Sequence, residues 1–362
     1  MKKTRVTARD VAREAGVSPA TVSMILNNYK NISFSEETKV RVLEVCERLG
    51  YRAVGKSRID SVSEQILLIV CPSFQNPHYI KEINGAQQRE QELGYATMVF
   101  CTRRSEEEET NLVRICRALR VAGVLLLYQP DNTAAYQMLQ RENQIVQLYG
   151  KLDGTDLNMV ELDNIKIGRL VAEHFLSMGH KYIAHISSPL LETQPSRIKR
   201  VEGIRSYMEE NGLDPDRYLR VATIDTEDVH VSGKLEGYET GYLLGGHLID
   251  AEIAVTAFSA INDVVAYGIL HAINERKKRV PHDYSVCGCD NLPYSNYQRI
   301  SLTTVEHVTA EKGRDGIDIL VQKIQSRINS RYNDPPDRIT RIEYTPRLIV
   351  RKSSGRCSDP AP

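Results

Sequence analysis

The sequence has no apolar run that approaches the length of a membrane span, and its basic beginning, MKKTRVTARDVAREAG, has no hydrophobic stretch behind it. From these absences we expect neither a membrane span nor a secretory signal. The 7 cysteines are odd in number, scattered, and mostly set in apolar runs. Such a distribution is typical of buried thiols in a reducing compartment. We therefore expect a cytoplasmic protein that does not contact membranes.

Motifs for catalysis, cofactors and metals are also missing. The first predicted strand is not followed by G-x-G-x-x-G, and neither G-x-x-x-x-G-K-[ST] nor G-x-S-x-G occurs. Cys287 and Cys289 form a C-x-C pair without a second pair at zinc spacing. The 9 histidines are dispersed, and His180 follows a predicted helix end, where a structural role is expected. We expect no catalytic residue, no cofactor and no metal.

Net charge is zero, but its distribution is uneven. Residues 1–58 contain 12 lysines and arginines against 6 acidic residues, and the remainder contains 35 against 41. Basic charge concentrated at one end is typical of a segment that contacts phosphates.

The basic segment has the pattern of three short helices. Thr7 precedes the first, an Ala-Gly-Val-Ser turn leads to Ser18 before the second, and Ser35 precedes the third. A generic helical bundle is the alternative to a helix-turn-helix. The tight turn, the small residues Ala12 and Ala15, and the small polar outer face of the second helix favour the helix-turn-helix.

From Gln65 onward, apolar runs alternate with amphipathic stretches, as in ILLIVC, YATMVFC and AGVLLL. Continuous apolar strands between helices predict parallel sheets covered on both faces. The pattern occurs twice, so we expect two lobes with a ligand cleft at the carboxyl ends of their strands. The predicted helices span 77–93, 105–118 and 131–141 in the first set, and 199–211, 234–248 and 263–276 in the second.

The segments TARDVAREAGVSPATVSMILNN and VRVLEVCERLGYR resemble the headpiece of the lactose-repressor (LacI) family of bacterial transcription factors. PSFQNPHY, VELDNIKIGRLVAEHFLSMGHKYIAHI, AFSAINDVVAYGIL and TPRLIVRKS continue the resemblance in family order. The implied fold class is an all-α helix-turn-helix headpiece plus an α/β two-lobed effector domain that is periplasmic-binding-protein-like (type I).

The resemblance also implies domain bounds. They are a headpiece at 1–51, a hinge at 52–64, an effector and dimerisation domain at 65–351 and a disordered tail at 352–362. The first lobe is expected at 65–162 and 291–330, and the second at 163–290 and 331–351. Crossings between lobes are therefore expected near Asp163, near Asn291 and in the segment SRYNDPPDR.

In this family the second helix enters the major groove. The implied DNA contacts are Thr7, Ser18, Pro19, Ala20, Thr21, Ser23, Met24, Asn27, Tyr51, Arg52, Arg58 and Ile59. Met24 departs from the arginine that is usual in the family, and a thioether has no donor for guanine. We expect an atypical operator.

The hinge at 52–64 also differs from the family pattern. It lacks the family's Pro-Asn pair and its leucine, so Ile59 is the nearest apolar wedge for the minor groove, and Gly55 weakens a helix. A hinge helix that kinks DNA and a simple linker both remain open.

The resemblance places effector contacts at Phe74, Asn76, Tyr79, Tyr149, Ser196, Arg200, Asn262 and Asp290. Their donors, acceptors and aromatic faces suit a polyhydroxylated ligand. The alternatives are that Arg200 pairs with Asp290, that Asn262 caps a helix, and that Tyr79 is a core residue. Tyr149 stands where many members have an aspartate, which removes one acceptor for a simple hexose.

The resulting hypothesis is a homodimeric repressor of carbohydrate-use genes. It binds double-stranded DNA at a pseudo-palindromic operator, because one headpiece makes too few base contacts, and it responds to a small-molecule effector, a sugar or sugar derivative. A purine or phosphoprotein effector is the alternative within the regulator class. A sugar-binding protein without a DNA role and a sugar-modifying enzyme are the alternatives from other classes.

Overall fold

The structure, a computed structural model, describes residues 7–26, 34–49, 66–149, 157–224, 237–329 and 339–358. The chain divides into two compact units, Met1–Glu64 and Gln65–Pro362. Each unit has its own hydrophobic core and is described by itself.

The first unit contains the helices α1 (Ala8–Ala15), α2 (Pro19–Leu26) and α3 (Glu36–Leu49). Its helix starts are stabilised as the sequence indicates. The Thr7 N–H donates to the Asp10 carboxylate at 2.9 Å, and Ser18 Oγ accepts from the Thr21 N–H at 3.0 Å. Gly16 ends α1 with a φ of 68°, a left-handed conformation that glycine adopts without strain.

A small apolar core joins the three helices: Val11, Ala12, Ala15, Val22, Val42, Val45 and Cys46. Only one buried residue, Val22, comes from α2. The rest of that helix is therefore at least partly on the surface of this unit.

Two six-stranded sheets form the centre of the second unit. The first sheet contains β1 (Ile66–Cys71), β2 (Ala96–Cys101), β3 (Gly123–Leu126), β4 (Ile145–Leu148), β5 (Asn158–Leu162) and β11 (Arg341–Tyr344). Its order is β11-β5-β4-β3-β1-β2, and all of its pairs are parallel.

The second sheet repeats this arrangement. It contains β6 (Ile183–Ser187), β7 (Leu219–Thr223), β8 (Ala257–Ala260), β9 (Ser285–Cys289), β10 (Thr303–Glu306) and β12 (Arg347–Ile349). Its order is β12-β10-β9-β8-β6-β7, with every pair parallel except β10 with β12. In each sheet the strand order reverses beside the first strand, and that reversal opens a crevice at the carboxyl ends.

Helices cover both faces of each sheet. The first lobe contains α4 (Pro77–Leu93), α5 (Glu106–Leu119), α6 (Thr133–Glu142) and α12 (Thr309–Asn329). The second contains α7 (Asn164–Ser177), α8 (Pro195–Glu210), α9 (Pro215–Tyr218), α10 (Tyr238–Asp250), α11 (Asp263–Glu275) and a 3-10 turn, Pro293–Asn296. Alternate residues of β1 show the layering: Leu67 belongs to the core under α12, and Leu68 to the core under α5. The predicted architecture of two α/β lobes with mainly parallel sheets is confirmed.

The bounds of the lobes differ from the prediction. The first crossing lies at Asp163, between β5 and α7. The second lies at His307, not near Asn291, because β10 pairs with β9 in the second sheet. The third lies between β11 and β12, because β11 pairs with β5 in the first sheet. The segment SRYNDPPDR, where the third crossing was expected, is outside the described residues.

The predicted disordered tail is also corrected. Residues 352–358 pack on the second lobe, and Ser353 and Ser354 are buried. Ser353 Oγ donates to the Val286 carbonyl at 2.7 Å, and the Cys357 N–H donates to the Met178 carbonyl at 2.9 Å. These backbone and hydroxyl groups are satisfied within the lobe, so the segment is part of it.

Glycines let α7 and α8 approach closely. A Cβ added to Gly168 would lie 2.0 Å from the Arg200 carbonyl oxygen, and one added to Gly203 would lie 2.0 Å from the Ile165 carbonyl oxygen. A side chain at either position would force the helices apart. This contact fixes where α8 places the side chain of Arg200. The helix begins at Pro195, four residues before the predicted start at 199.

Candidate functional site

The first turn of α2 forms one candidate surface. Ser18, Pro19, Ala20 and Ser23 are exposed, whereas Thr21 and Met24 are half-buried. Thr7 is exposed too, and its hydroxyl donates to Asp10 at 2.7 Å. A capped helix with small polar residues on its open first turn has the shape and donors to enter a major groove. Asn27, Tyr51, Arg52, Arg58 and Ile59 lie outside the described residues.

A cleft of about 770 Å³, part of it open to solvent, lies between the two lobes of the second unit. The structure brings seven of the eight predicted effector residues to its wall: Asn76, Tyr79, Tyr149, Ser196, Arg200, Asn262 and Asp290. Phe74 is not among the lining residues, and it is 53% exposed. The cleft lies at the carboxyl ends of strands, where doubly wound sheets bind ligands.

Two predicted residues start helices at this edge. Asn76 Oδ1 accepts from the His78 N–H at 3.0 Å and begins α4, and Asn262 Oδ1 accepts from the Val265 N–H at 2.9 Å and begins α11. The helix-cap alternative for Asn262 is therefore what the structure shows. Each amide NH2 group remains as a donor at the cleft wall.

Arg200 does not pair with Asp290. Its Nε donates to Asn164 Oδ1 at 3.0 Å, and its Nη1 donates to the Ile261 carbonyl at 2.6 Å. Both acceptors are neutral. The two bonds hold the guanidinium at the second-lobe wall and use only part of its five donors.

Asp290 follows β9 with a φ of 130°, a backbone conformation that is strained for any residue with a side chain. The residue is 4% exposed. Oδ1 accepts from His307 Nε2 at 2.8 Å and lies 3.3 Å from His78 Nδ1, within ion-pair distance. Within the described residues Oδ2 has no hydrogen-bond partner. A buried carboxylate oxygen in this state needs a hydrogen-bond donor.

The residues behind Asp290 form a group that the sequence pattern does not predict. His78, Glu82, His307 and Lys312 are buried and form a continuous polar network with Asp290 and Tyr149. The 9 histidines are dispersed along the sequence. His78 and His307 nevertheless come soon after strands β1 and β10, and their position after strand ends at the cleft is the signal that identifies them.

The Tyr149 hydroxyl is fully used inside this network. It donates to Glu82 and accepts from Lys312 and, at 3.1 Å, from His78 Nε2. One donor and two lone pairs are the whole capacity of a phenol. Tyr149 therefore contributes its ring to the cleft, and the Lys312 ammonium lies 4.0 Å from the centre of that ring.

The pKa values in the network follow from burial and neighbouring charge. Burial lowers the pKa of His78, but Asp290 and Glu82 outweigh it and raise this pKa to about 9. Burial raises the pKa of Asp290, but His78 and His307 outweigh it and hold the pKa below its usual range. Burial and the Lys312 ammonium hold the pKa of His307 well below its usual range. His78 is thus an imidazolium beside the Asp290 carboxylate, and His307 is neutral.

The ligand atoms of His78, Asp290 and His307 lie within 4.8 Å of one another, a spacing that suits a metal ion. Two positive charges oppose a cation there. The Lys312 ammonium is 2.9 Å from His307 Nδ1, and His78 is protonated. The arrangement instead supports the Asp290 carboxylate as a fixed acceptor at the cleft wall.

The three-helix unit with an open second helix, in one chain with a two-lobed unit that encloses a polar cleft, defines the class of ligand-responsive DNA-binding regulators. Residues 7–53 match the bacterial regulatory proteins of the lacI family, and residues 172–354 match a periplasmic binding protein-like domain. The chain thus combines a lacI-family helix-turn-helix domain with a periplasmic binding protein-like domain, as the sequence predicted.

Similar proteins span nearly the whole chain. The HTH-type transcriptional repressor PurR of Haemophilus influenzae (strain PittEE) is 28% identical over 355 residues, which cover 96% of this chain and 98% of the relative. The ribose operon repressor of Escherichia coli (strain K12) is 28% identical over 355 residues, which cover 96% and 99%.

Solved structures show the same fold. The lac repressor dimer bound to operator and the anti-inducer ONPF has a TM-score of 0.72 at 24% identity and covers 97% of this chain and 100% of its own. A LacI family regulator from Enterococcus faecium with bound ribose has a TM-score of 0.66 at 22% identity and covers 80% and 98%. None of the helices in the described ranges is long and apolar enough to cross a membrane.

Proposed function

We propose that this protein is a transcriptional repressor that binds double-stranded operator DNA through α2 and is controlled by a small molecule in the interlobe cleft. The observation that carries the proposal is the open first turn of α2. Val22 is the one buried residue of this helix, and Ser18, Pro19, Ala20 and Ser23 face solvent. A helix that contributes so little to its core is available to a groove.

Base and backbone contacts are divided along this helix. Pro19, Ala20 and Met24 read base edges, and Thr21, Ser23 and Asn27 contact the backbone. Thr7, Ser18, Tyr51, Arg52, Arg58 and Ile59 complete the proposed set. One headpiece makes too few base contacts for selectivity, so a homodimer binds two half-sites of a pseudo-palindromic operator.

The effector is a hydroxylated small molecule, and we infer a sugar or sugar derivative. Asp290 accepts a hydrogen bond from a ligand hydroxyl, and the amide groups of Asn76 and Asn262 donate to the ligand. Arg200 and Ser196 contact the ligand from the second-lobe side of the cleft. The rings of Tyr79 and Tyr149 pack against it. Phe74 does not line the cleft and is left out of this set. A bound ribose in the Enterococcus faecium relative supports this class. Closure of the lobes on the effector changes the affinity for DNA.

We infer that the protein is a regulator without enzymatic turnover, and that it acts in the cytoplasm, where its DNA is. The homology to repressors over 96% of the chain supports both inferences. A purified preparation that converts a candidate sugar would contradict the first.

The test is selection of binding sites from a random duplex library with the purified full-length protein, followed by anisotropy measurements. We expect one enriched pseudo-palindrome whose affinity falls steeply with salt, because phosphate contacts release counterions. Addition of the effector should change that affinity. Failure to enrich any sequence, or equal binding to shuffled duplexes, contradicts the proposal.

A further inference from the structure

Two cysteines lie opposite each other at the end of the first sheet. Cys71 is the last residue of β1 and Cys101 is the last residue of β2, and the register of these parallel strands pairs the two directly. Neighbouring strands are about 4.8 Å apart, and the Cα atoms of a disulfide are about 4.4 to 6.8 Å apart. The two residues are therefore within reach of a disulfide in the present register.

Both side chains point to the same face of the sheet. Cys71 belongs to the apolar core under α12, and Cys101 packs against that core. Burial raises the pKa of Cys71 to about 12, and Cys101 adds to this rise as its hydrogen-bond partner. Both residues are free thiols in the structure. The strand register and the shared face thus bring the two thiols together.

Cys287 and Cys289 provide a comparison in the second lobe. They lie two residues apart on the single strand β9, and both belong to the core under α7 and α8. Two residues along a strand span about 6.6 Å, and their side chains stand parallel. Their Cβ atoms therefore stay beyond the separation of about 3.5 to 4.5 Å that a disulfide requires. A shared core alone does not allow a bond, and the opposed strands of the first lobe do.

An oxidant reaches the first-lobe pair from the side of Cys101. β2 stands at the end of the strand order of its sheet, and Cys101 is partly exposed, whereas Cys71 is fully buried. The raised pKa keeps Cys71 in its thiol form at neutral pH, and the thiolate is the nucleophilic form of cysteine. Cys101 is therefore the residue that reacts first.

We propose that Cys71 and Cys101 are a redox-modification site, a dithiol that hydrogen peroxide oxidises to an intramolecular disulfide. First the Cys101 thiolate attacks a peroxide oxygen, so that an S–O bond forms, the O–O bond breaks and hydroxide leaves. Then the Cys71 sulfur attacks the Cys101 sulfur, so that the S–S bond forms, the S–O bond breaks and a second hydroxide leaves. The two thiol protons convert both hydroxides to water. The thiols lose two electrons, and the peroxide gains them.

The position of this bond favours a reversible modification. The strand spacing lies below the Cα separation of about 5.5 to 6 Å that is most common in disulfides, and strained disulfides are more easily reduced. Just beyond the pair, the Thr102 N–H donates to the Cys71 carbonyl at 3.1 Å. Asn76 and Arg104, which follow the two cysteines along the chain, line the cleft. The bond therefore forms behind the first-lobe wall of the ligand site, and the inference does not depend on which ligand binds there.

The test is oxidation of the purified full-length protein with hydrogen peroxide, followed by alkylation of the remaining thiols and tryptic mass spectrometry without reductant. Trypsin separates the two cysteines, because residues 59–81 and 90–103 form different tryptic peptides. We expect the two peptides in one linked species, with the mass of the pair less two hydrogens. Dithiothreitol should convert this species back to two separate peptides.

Substitutions establish the order of the two steps. In Cys71→Ala the resolving thiol is missing, so the sulfenic acid on Cys101 should persist and react with dimedone. In Cys101→Ser dimedone should not label Cys71, and both variants should lose the linked species. Cys116→Ala is the control, since it removes a buried cysteine from the core under α5 and should keep the linked species at the wild-type level. Melting temperatures of the reduced variants show that each is folded.

Three results on the wild-type protein overturn the inference. One is recovery of both peptides as separate alkylated thiols at a peroxide concentration that oxidises free glutathione. Another is irreversible oxidation of Cys101 to the sulfinic acid while Cys71 stays a thiol. The third is a bond from either cysteine to a different cysteine or to another chain. The wild-type spectrum gives this decision by itself, so it holds even where a variant fails to fold.

Discussion

His307 Nε2 lies 2.8 Å from Asp290 Oδ1, and the two residues follow the carboxyl ends of neighbouring strands in the second sheet. His307 is also the point where the chain crosses into the first lobe. Lys312, on the first-lobe side, donates to His307 Nδ1 at 2.9 Å, so the imidazole proton is on Nε2 and points at Asp290. The carboxylate at the cleft is thus held by groups of both lobes.

The buried pair of His78 and Asp290 predicts how stability depends on pH. The folded pKa of His78, about 9, lies above its ordinary value of 6.5. Its contribution to stability is therefore fully present below pH 6.5 and is lost as pH rises through about 9. Burial lowers the pKa of Lys312 from its ordinary value of 10.5 to about 8. Lys312 therefore has the opposite effect, and it raises the free energy of unfolding as pH increases above about 8.

We expect the stability advantage of the wild type over His78→Gln to shrink between pH 6.5 and pH 8, because only the wild type loses the contribution of His78. Urea denaturation at both pH values measures it. His247→Gln, which removes an exposed histidine, should keep the wild-type dependence. An identical pH dependence in His78→Gln and the wild type would show that His78 is not protonated in the folded state.

Arg200→Ala should abolish ligand stabilisation. A screen of sugars, sugar phosphates and purines by thermal shift identifies a compound that raises the melting temperature of the wild type. In Arg200→Ala the unliganded protein should melt lower, because the bonds to Asn164 and Ile261 are lost. The shift by the same compound, measured from that new baseline, should vanish. A full shift in the variant contradicts the placement of Arg200 at the ligand.

Much of the fold could be predicted from the sequence. Apolar runs such as ILLIVC become buried strands, and the helix predicted over 77–93 is α4, Pro77–Leu93. The pattern does not say which sheet a strand joins. β11 and β12 are short and close in sequence, yet they belong to different lobes, because β11 pairs with β5 and β12 pairs with β10.

The residues of the candidate site could be predicted only in part, because some of them come together only in the folded lobe. Family resemblance identified Asp290 and Arg200 at the cleft. His78, Glu82 and Lys312 form no motif in sequence, because residues on α4 and α12 meet only after the first lobe has packed. In the packed lobe the Tyr149 hydroxyl is hydrogen-bonded to His78 and Glu82. A comparison of residue types alone does not reveal these bonds.

The close contact of α7 with α8 predicts the effect of one methyl group. Gly203→Ala places a Cβ 2.0 Å from the Ile165 carbonyl oxygen, so α8 must shift. We expect a loss of about 3 kcal/mol in the free energy of unfolding and weaker ligand binding through Arg200. Gly245→Ala is the matched control on α10, since its nearest neighbours would be 3.5 Å away. Its effect should stay within about 1 kcal/mol. Equal stabilities of the two variants, measured by urea denaturation, would refute the contact.

Met24 predicts a change in operator choice. Its thioether offers no donor, whereas an arginine at the same position of α2 has a fork that contacts O6 and N7 of guanine in the major groove. Site selection with full-length Met24→Arg should therefore enrich guanine at one position of each half-site that the wild type leaves open. The gain should be about 1 to 3 kcal/mol over the other bases. Met24→Ala is the control, and it should keep the wild-type preference because it adds no donor. Unchanged base preference in Met24→Arg, with DNA affinity retained, would place Met24 away from the bases and require a different docking of α2.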